Sequence, residues 1–229
     1  MPSQSFVLLE KSMGIRFRDR DLLAQALTHR SALKESRLHG HNERMEFLGD
    51  AVLELAATEH LYHLSSKPEG DLTNWRSALV QRENLAAVAR ELKLGEYLSV
   101  SHGEEASGGR DRDSNLANTL EAVIGAIYLD QGFDVARSFC HSFILHRLRD
   151  LIASGKDRDD KGIFQEAAQE QCSITPHYET LSEVGPDHDK CFTCAVYVGT
   201  EKVAEGCGNS KQRAEQEAAK AALRIKGWS

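Results

Sequence analysis

The sequence lacks the features of a membrane-anchored, secreted or disulfide-stapled protein. No apolar run approaches the length of a membrane-spanning helix, and the N-terminus lacks the basic and then apolar pattern of a signal peptide. The cysteines are odd in number, irregularly spaced and therefore a poor disulfide framework: Cys140, Cys172, Cys191, Cys194 and Cys207. These absences predict a cytoplasmic protein with no attachment to a membrane.

The sequence also lacks an excess of positive charge. Its formal net charge is −7, and the part from Lys156 onward has 10 Lys and Arg against 13 Asp and Glu. A nucleic-acid-binding surface would therefore have to consist of local basic patches and bound cations. Composition by itself favours an enzyme that acts on a small molecule or a protein that binds another protein.

The most informative stretch, residues 42–55, lacks lysine although it is rich in acidic side chains. If it forms a helix, Glu43, Glu46 and Asp50 share one face beside an apolar stripe. One interpretation is a solvated acidic face, and the other is a cage for a hard divalent cation such as Mg²⁺. Gly49 favours the cage, because a glycine within a helix costs about 1 kcal/mol relative to alanine and indicates the close approach of another backbone.

A second helix, predicted over residues 115–129, places Asn118 and Glu121 on one face. The sequence has no Ser-His-Asp or Cys-His arrangement that would supply a protein nucleophile. If the two acidic helices lie side by side, their oxygens could hold paired Mg²⁺ ions about 3.5–4 Å apart, which suit phosphodiester hydrolysis. His60 and His63 lie three apart on the first helix, but the sequence reveals no third ligand, so we interpret them as surface histidines.

The apolar spacing changes along the chain from a helical to an alternating pattern. The small, polar and charged segment 153–160 is typical of a flexible linker. We therefore predict a helical domain over residues 1–154, with helices at 75–94 and 135–152 among others, and a second domain over residues 155–229. The second domain is predicted to contain a helix, three strands and a helix, at 163–172, 175–184, 192–199, 202–208 and 210–225.

Motifs of the first domain resemble those of a known family. Residues 43–50, Glu-Arg-Met-Glu-Phe-Leu-Gly-Asp, resemble the signature of the ribonuclease III family, the double-stranded RNA endonucleases. Residues 26–32 and the glycine-bearing loop 103–110 are similar to weaker motifs of that family. The resemblance implies an all-α endonuclease domain that hydrolyses RNA with Mg²⁺, for which Mn²⁺ can substitute.

The resemblance also assigns roles within the acidic cluster. Glu46, Asp50 and Glu121 would bind metal directly, and Asp50 and Glu121 would be catalytic. Asn118 would orient water in the coordination shell of the metal, and Glu69 would act through water on a second ion. The family commonly has Asp where this chain has Asn118. A neutral amide stabilises a dication less than a carboxylate, and the sequence leaves open how far this lowers activity.

The second domain closely resembles a double-stranded RNA-binding domain, of the small α+β type with α-β-β-β-α order. The resemblance rests on residues 186–188, on the Gly-x-Gly-x-Ser-Lys run 206–211 and on the alanine-rich segment 218–223. Such a domain reads the A-form shape of about 16 bp through phosphates and 2′-hydroxyls. The side chains that would contact RNA are Glu43 near the dimer seam, Gln165 and Glu166 on the first helix, His188 in a loop, and Ser210, Lys211 and Arg213 at a helix N-terminus.

The family resemblance further implies a symmetric homodimer that cuts both strands, leaves 5′-phosphate and 3′-hydroxyl ends, and processes ribosomal RNA precursors and structured messages. An apolar side chain such as Phe47 or Met45 would help to form the interface. Two alternatives remain. A non-cleaving double-stranded RNA-binding protein is favoured only by Asn118. A metal hydrolase of another substrate is disfavoured by Lys211 and His188, which are typical of RNA binding.

Overall fold

The computed structural model of the chain describes residues 3–34, 40–153, 159–186 and 190–228. It divides into two compact units, Met1–Asp157 and Arg158–Ser229. The boundary predicted between residues 154 and 155 lies outside the described residues and stays a prediction. Within the described ranges, no helix is long and apolar enough to cross a lipid bilayer.

The first unit is helical, as predicted. Its helices are α1 (Ser3–Met13), α2 (Arg20–Ala26), α3 (Glu43–Leu64), α4 (Glu69–Val80), α5 (Arg82–Glu91), α6 (Leu94–Tyr97), α7 (His102–Ala106), α8 (Asp113–Gln131), α9 (Phe133–Phe143) and α10 (Leu148–Ala153). Short 3-10 helices occupy Arg30–Lys34 and Leu145–Arg147. Helix α8 lies at the centre of the core, because its residues from Leu116 to Ile127 are buried on nearly every side.

The predicted single helix at 75–94 is wrong, because α4 and α5 are separate helices. The chain is extended at Gln81, with φ −60° and ψ 146°. The side-chain amide of Asn84 donates a hydrogen bond of 2.6 Å to the carbonyl oxygen of Leu79, which stabilises the break. The helix predicted at 135–152 is likewise divided into α9, a 3-10 helix and α10. The first break lets α5 pack on α8, and the second turns the chain so that α10 packs on α4.

The second unit has the predicted α-β-β-β-α order. Helix α11 (Asp160–Cys172) is followed by β1 (His177–Val184), β2 (Cys191–Val198), β3 (Glu201–Gly208) and α12 (Lys211–Lys226). The strands form an antiparallel sheet in the order β1-β2-β3. Both helices pack on one face of this sheet, where Phe164 of α11, Val196 of β2 and Ala218 of α12 share a buried core.

Close packing of α12 on β3 explains the glycine run that precedes the last helix. A Cβ atom on Gly206 would overlap the backbone nitrogen of Ala218 and would lie 2.5 Å from the carbonyl oxygen of Ala214. A Cβ atom on Gly208 would lie 2.7 Å from the backbone nitrogen of Ala214. The two glycines therefore let the helix lie directly on the strand, which sets the position of its N-terminus.

Candidate active site

Helices α3 and α8 cross with their backbones in contact at two glycines. A Cβ atom on Gly49 would overlap the carbonyl oxygen of Glu121 and would lie 2.8 Å from the nitrogen of Gly125. A Cβ atom on Gly125 would overlap the carbonyl oxygen of Met45 in turn. The predicted close approach of another backbone at Gly49 is therefore confirmed. Because Met45 lies against Gly125 and Gly49 against Glu121, the two helices are antiparallel at the crossing.

This crossing gathers the carboxyl groups of Glu46, Asp50 and Glu121. Burial and the negative charges of Asp50 and Glu46 together raise the pKa of Glu121 to about 8. Burial and the charge of Glu43, followed by that of Asp50, raise the pKa of Glu46, against a hydrogen bond from the Asn118 amide. The three carboxyl groups therefore repel one another, and the positive charges of Arg30 and Arg82 compensate for that repulsion only in part.

Asn118 joins the two acidic helices. It lies one turn before Glu121 on α8, and its side-chain amide donates a hydrogen bond to Glu46 on α3. The predicted shared face of Asn118 and Glu121 thus points toward α3.

The donors of this cluster fit a hard divalent cation. Carboxylate and amide oxygens are the ligands that Mg²⁺ and Mn²⁺ prefer. A dication between the side chains would relieve the repulsion that raises the pKa values of Glu46 and Glu121. In the part of the chain that the structure describes, no three Asp, Glu, His or Cys side chains already form a group that could hold a metal ion. Binding would therefore require the carboxylates to turn toward a common point.

Glu43 and Glu69 occupy different places relative to the cluster. Glu43 lies in the first turn of α3, where its carboxylate is 3.3 Å from the Arg30 guanidinium and close enough to raise the pKa of Glu46. Glu69 is the exposed first residue of α4. Among the described residues, no hydrogen bond or ion pair joins Glu69 to the other carboxyl groups. Its predicted role on a second ion stays a prediction.

Arg82 is a neighbour of the cluster that the predicted site residues did not include. It is the exposed first residue of α5, and its positive charge opposes the rise in the pKa of Glu121. The break between α4 and α5 places it there, and the sequence pattern had predicted a continuous helix. A guanidinium beside acidic metal-ligand candidates is suited to contact a phosphate group.

The N-terminus of α12 presents several polar groups to solvent. Ser210 caps the helix, and its hydroxyl oxygen accepts a hydrogen bond of 3.2 Å from the Arg213 backbone nitrogen. The side chains of Lys211 and Arg213 are exposed in the first turn. Two cations at the positive end of a helix dipole favour an anion such as phosphate.

The remaining predicted RNA contacts are only partly described. Gln165 and Glu166 are exposed on consecutive positions of α11. His188 lies outside the described residues. The structure therefore leaves both α11 side chains free to reach a ligand, and the role of His188 stays a prediction.

Helix α3 carries an exposed apolar stripe. Phe47 is 81% exposed, Leu55 is 56% exposed and Tyr62 is 73% exposed. Their spacing of eight and seven residues places them on one side of the helix. Met45 was predicted, as an alternative to Phe47, to lie in the interface. Its side chain is only 5% exposed and packs in the core against α8. The prediction for Met45 is therefore wrong, whereas Phe47 is free to contact a partner.

Comparisons with known proteins cover both units. Residues 19–148 match the family described as Ribonuclease-III-like, and residues 161–226 match the double-stranded RNA binding motif. The chain is 46% identical over 218 residues to Ribonuclease 3 of Desulforamulus reducens, covering 94% of this chain and 89% of that protein. It is 47% identical over 221 residues to Ribonuclease 3 of Pelotomaculum thermopropionicum, covering 94% of this chain and 91% of that protein.

Among solved structures, the first unit is similar to the nuclease domain of Ribonuclease III from Campylobacter jejuni. The TM-score is 0.57 at 43% sequence identity, and the match covers 60% of this chain and 94% of that domain. A region of the Campylobacter domain involved in dimer formation is described as structurally flexible. The first unit is therefore similar in fold to a ribonuclease III nuclease domain.

Proposed function

The chain belongs to the ribonuclease III family of double-stranded RNA endonucleases, and from that premise we propose that it cleaves duplex RNA by Mg²⁺-dependent phosphodiester hydrolysis. The products we propose carry 5′-phosphate and 3′-hydroxyl ends. The observation that carries the proposal is the gathering of Glu46, Asp50 and Glu121 at the glycine crossing of α3 and α8. Glu46 and Glu121 are partly buried and Asp50 is exposed, and such a concentration of negative charge is costly to a fold unless a cation neutralises it.

We propose that Glu46, Asp50 and Glu121 would hold the metal, that Asn118 would orient water in its coordination shell, and that Glu69 would act through water on a second ion. Bound Mg²⁺, for which Mn²⁺ can substitute, supplies a polarised water and stabilises the charge that develops on the phosphate oxygens. Asn118 holds the carboxylate of Glu46 by a hydrogen bond and so limits its rotation. Asp50 and Glu121 are the catalytic pair that we propose, because the charge of Asp50 on α3 acts on Glu121 on α8 across the crossing.

Cleavage of a long duplex RNA in the presence of Mg²⁺ tests this proposal. We expect the chain to cut, and we expect Asn118→Asp to cut at a lower Mg²⁺ concentration, because an added carboxylate strengthens the attraction for a dication. Equal Mg²⁺ requirements would mean that the neutral amide is tolerated. If neither protein cut at any concentration of Mg²⁺ or Mn²⁺ while both bound the duplex, the non-cleaving binder would be the better description.

Binding of the duplex by the second unit is expected to depend on the N-terminus of α12. Lys211→Ala should weaken duplex affinity by a similar factor for all sequences and reduce the salt slope by about 1, because one phosphate contact is lost. Fluorescence anisotropy over a range of KCl concentrations, without Mg²⁺ so that no cleavage occurs, measures both quantities. Lys202→Ala is the matched control, since Lys202 lies on β3 and pairs with Glu205. Equal losses in the two variants would contradict the assignment.

We propose that the chain acts as a homodimer through the exposed stripe on α3. Three large exposed apolar side chains on one side of a helix, Phe47, Leu55 and Tyr62, are unfavourable in water unless a partner covers them. Two copies of one helix face, related by a two-fold axis, form a self-complementary interface. In such a dimer the acidic cluster of each protomer begins one residue from Phe47, so each active site would lie beside the interface.

Phe47→Asp is expected to convert the dimer to a monomer. Removal of a central aromatic side chain from an interface weakens the free energy of association by about 2 kcal/mol or more. The dissociation constant of the dimer should therefore rise at least about 30-fold. Sedimentation velocity over a concentration series measures this change. Leu8→Asp serves as the control, because Leu8 is 65% exposed on α1 and lies outside the stripe. A Phe47→Asp protein that dimerised as tightly as the unaltered chain would place the interface elsewhere.

The substrates we propose are ribosomal RNA precursors and structured messages in the cytoplasm. Sequencing of RNA ends in cells that carry the active protein, compared with cells that carry an inactive variant, would identify the cleaved positions. The double-stranded RNA-binding domain selects duplex regions by shape, so the sites should lie within extended helices of the RNA.

A further inference from the structure

A groove of about 490 Å³ lies between the C-terminal half of α3 and helix α9. Three histidines line it, His60 and His63 from α3 and His141 from α9. His60 is ten residues beyond Asp50, so at 1.5 Å per residue it lies about 15 Å along α3 from the acidic cluster. The groove is therefore separate from the active site, although both are built on the same helix.

His60 and His141 approach each other closely across the groove. Their ring centres are 5.1 Å apart and the ring planes are nearly perpendicular, at 85°. Two imidazoles that bind one tetrahedral ion with metal–nitrogen distances of about 2.0–2.1 Å would hold their ring centres roughly 5 Å apart. The two rings thus already have the separation that a shared metal ion requires, and binding would require them to rotate so that one nitrogen of each ring faces the ion.

The charges around the groove favour a cation over an anion. Arg137 is the basic side chain that lines the groove, and its guanidinium lies 3.0 Å from the carboxylate of Glu59 and 3.0 Å from that of Asp134. Its positive charge is therefore compensated by two carboxylates.

The ligand chemistry selects the class of cation. Mg²⁺ takes oxygen ligands and so prefers the acidic cluster. Imidazole nitrogens suit Zn²⁺, Ni²⁺ and Cu²⁺ instead. In the part of the chain that the structure describes, no three His, Cys, Asp or Glu side chains already converge, so a third ligand must turn inward. His63 is exposed and lies one turn after His60 at the same groove, where a change of rotamer can bring it in.

We propose that His60 and His141, completed by His63, bind one transition-metal ion of the Zn²⁺ class that links α3 to α9. The ion is distinct from the catalytic metal and takes no part in cleavage. Because it binds the folded chain and not the unfolded chain, it stabilises the helix on which Glu46 and Asp50 lie. The sequence shows His60 and His63 on one helix, but only the packing of α9 on α3 brings His141 close to them.

Titration of the full chain with Zn²⁺ in the presence of excess Mg²⁺ tests this site, because Mg²⁺ occupies the oxygen ligands. One ion should bind per chain, and affinity should fall at least about tenfold in His60→Ala and in His141→Ala, since each removes a direct ligand. His146→Ala is the matched control, because His146 is exposed on the neighbouring 3-10 helix and outside the groove. Cleavage with Mg²⁺ should be unchanged in all three variants.

Electron paramagnetic resonance of the Cu²⁺-loaded chain gives a second measurement. Its spectrum should contain splitting from imidazole nitrogens, and this splitting should be lost in the His60→Ala, His141→Ala double variant. Thermal unfolding should occur at a higher temperature with Zn²⁺ for the unaltered chain but not for the double variant. Binding that survived unchanged in the double variant, or a Cu²⁺ spectrum with oxygen ligands alone, would overturn the proposal.

Discussion

Glu121→Gln should reduce cleavage of duplex RNA at least about 10³-fold, the scale of loss for removing a group that stabilises charge in the transition state. The carboxylate of Glu121 lies beside those of Asp50 and Glu46, and glutamine keeps the size of the side chain without its charge. Duplex affinity should remain unchanged, because the side chains proposed to contact phosphate, Arg82, Lys211 and Arg213, are unaltered. Single-turnover cleavage and anisotropy measured on the same duplex separate the two effects. Parallel loss of cutting and binding would contradict the role proposed for Glu121.

The pH dependence of stability distinguishes a lost ligand from a damaged fold. The pKa of Glu121 is raised from 4.5 to about 8 in the folded chain. Between these two pH values, Glu121 is therefore protonated in the folded state and ionised in the unfolded state. The free energy of unfolding of the metal-free chain should therefore fall as the pH rises from about 4.5 to about 8. Glu121→Gln lacks this titration, so in Mg²⁺-free buffer at pH 8 it should be the more stable protein. A less stable variant would indicate that Glu121 serves the fold.

Gly49→Ala should be the most destabilising single-methyl change at this site. The added Cβ would overlap the carbonyl oxygen of Glu121, and a backbone atom in a central helix cannot move aside as a side chain can. We expect the free energy of unfolding to fall by about 3 kcal/mol or more, which is the upper end of the range for substitutions that overpack a protein core. Cleavage should also be lost below the unfolding temperature, because separating α3 from α8 moves Asp50 away from Glu121. Urea unfolding and cleavage assays measure the two effects.

Gly103→Ala is the matched control for Gly49→Ala. Gly103 lies in helix α7, and nothing lies within 4 Å of the position where its Cβ would be. Alanine is the better helix former, so this variant should be as stable as the unaltered chain or more stable by up to about 1 kcal/mol. If both glycine variants unfolded alike, backbone contact at the crossing would not be what holds the two helices together.

The carboxylates of Glu43, Glu46 and Asp50 could be assigned to one face of α3 from the sequence, because the spacing of residues along a helix is a local property. Glu43, Glu46 and Asp50 follow the period of α3, and Asn118 and Glu121 follow that of α8. Gly49 added a non-local hint, since a glycine within a helix has an energetic cost that close packing explains. Gly125, its partner at the crossing, carries the same signal, a glycine within an apolar helix.

Features that depend on where the chain turns could not be predicted in this way. The break at Gln81 results from a side-chain hydrogen bond of Asn84 that competes with the helix, and apolar periodicity does not report such a bond. That break places Arg82 beside Glu121. Met45 and Phe47 are both apolar and lie two positions apart, and only the packing of α8 decides which one is buried.

The amino-acid order by itself therefore determined the two-domain organisation, the family and the two acidic helix faces, because each depends on neighbours within one or two turns. Tertiary structure alone decided which helix the acidic face of α3 meets, which apolar side chain remains available to a partner, and that His141 joins His60. These contacts connect residues far apart in the chain, and their distances depend on how backbones pack, a quantity that no local spacing contains.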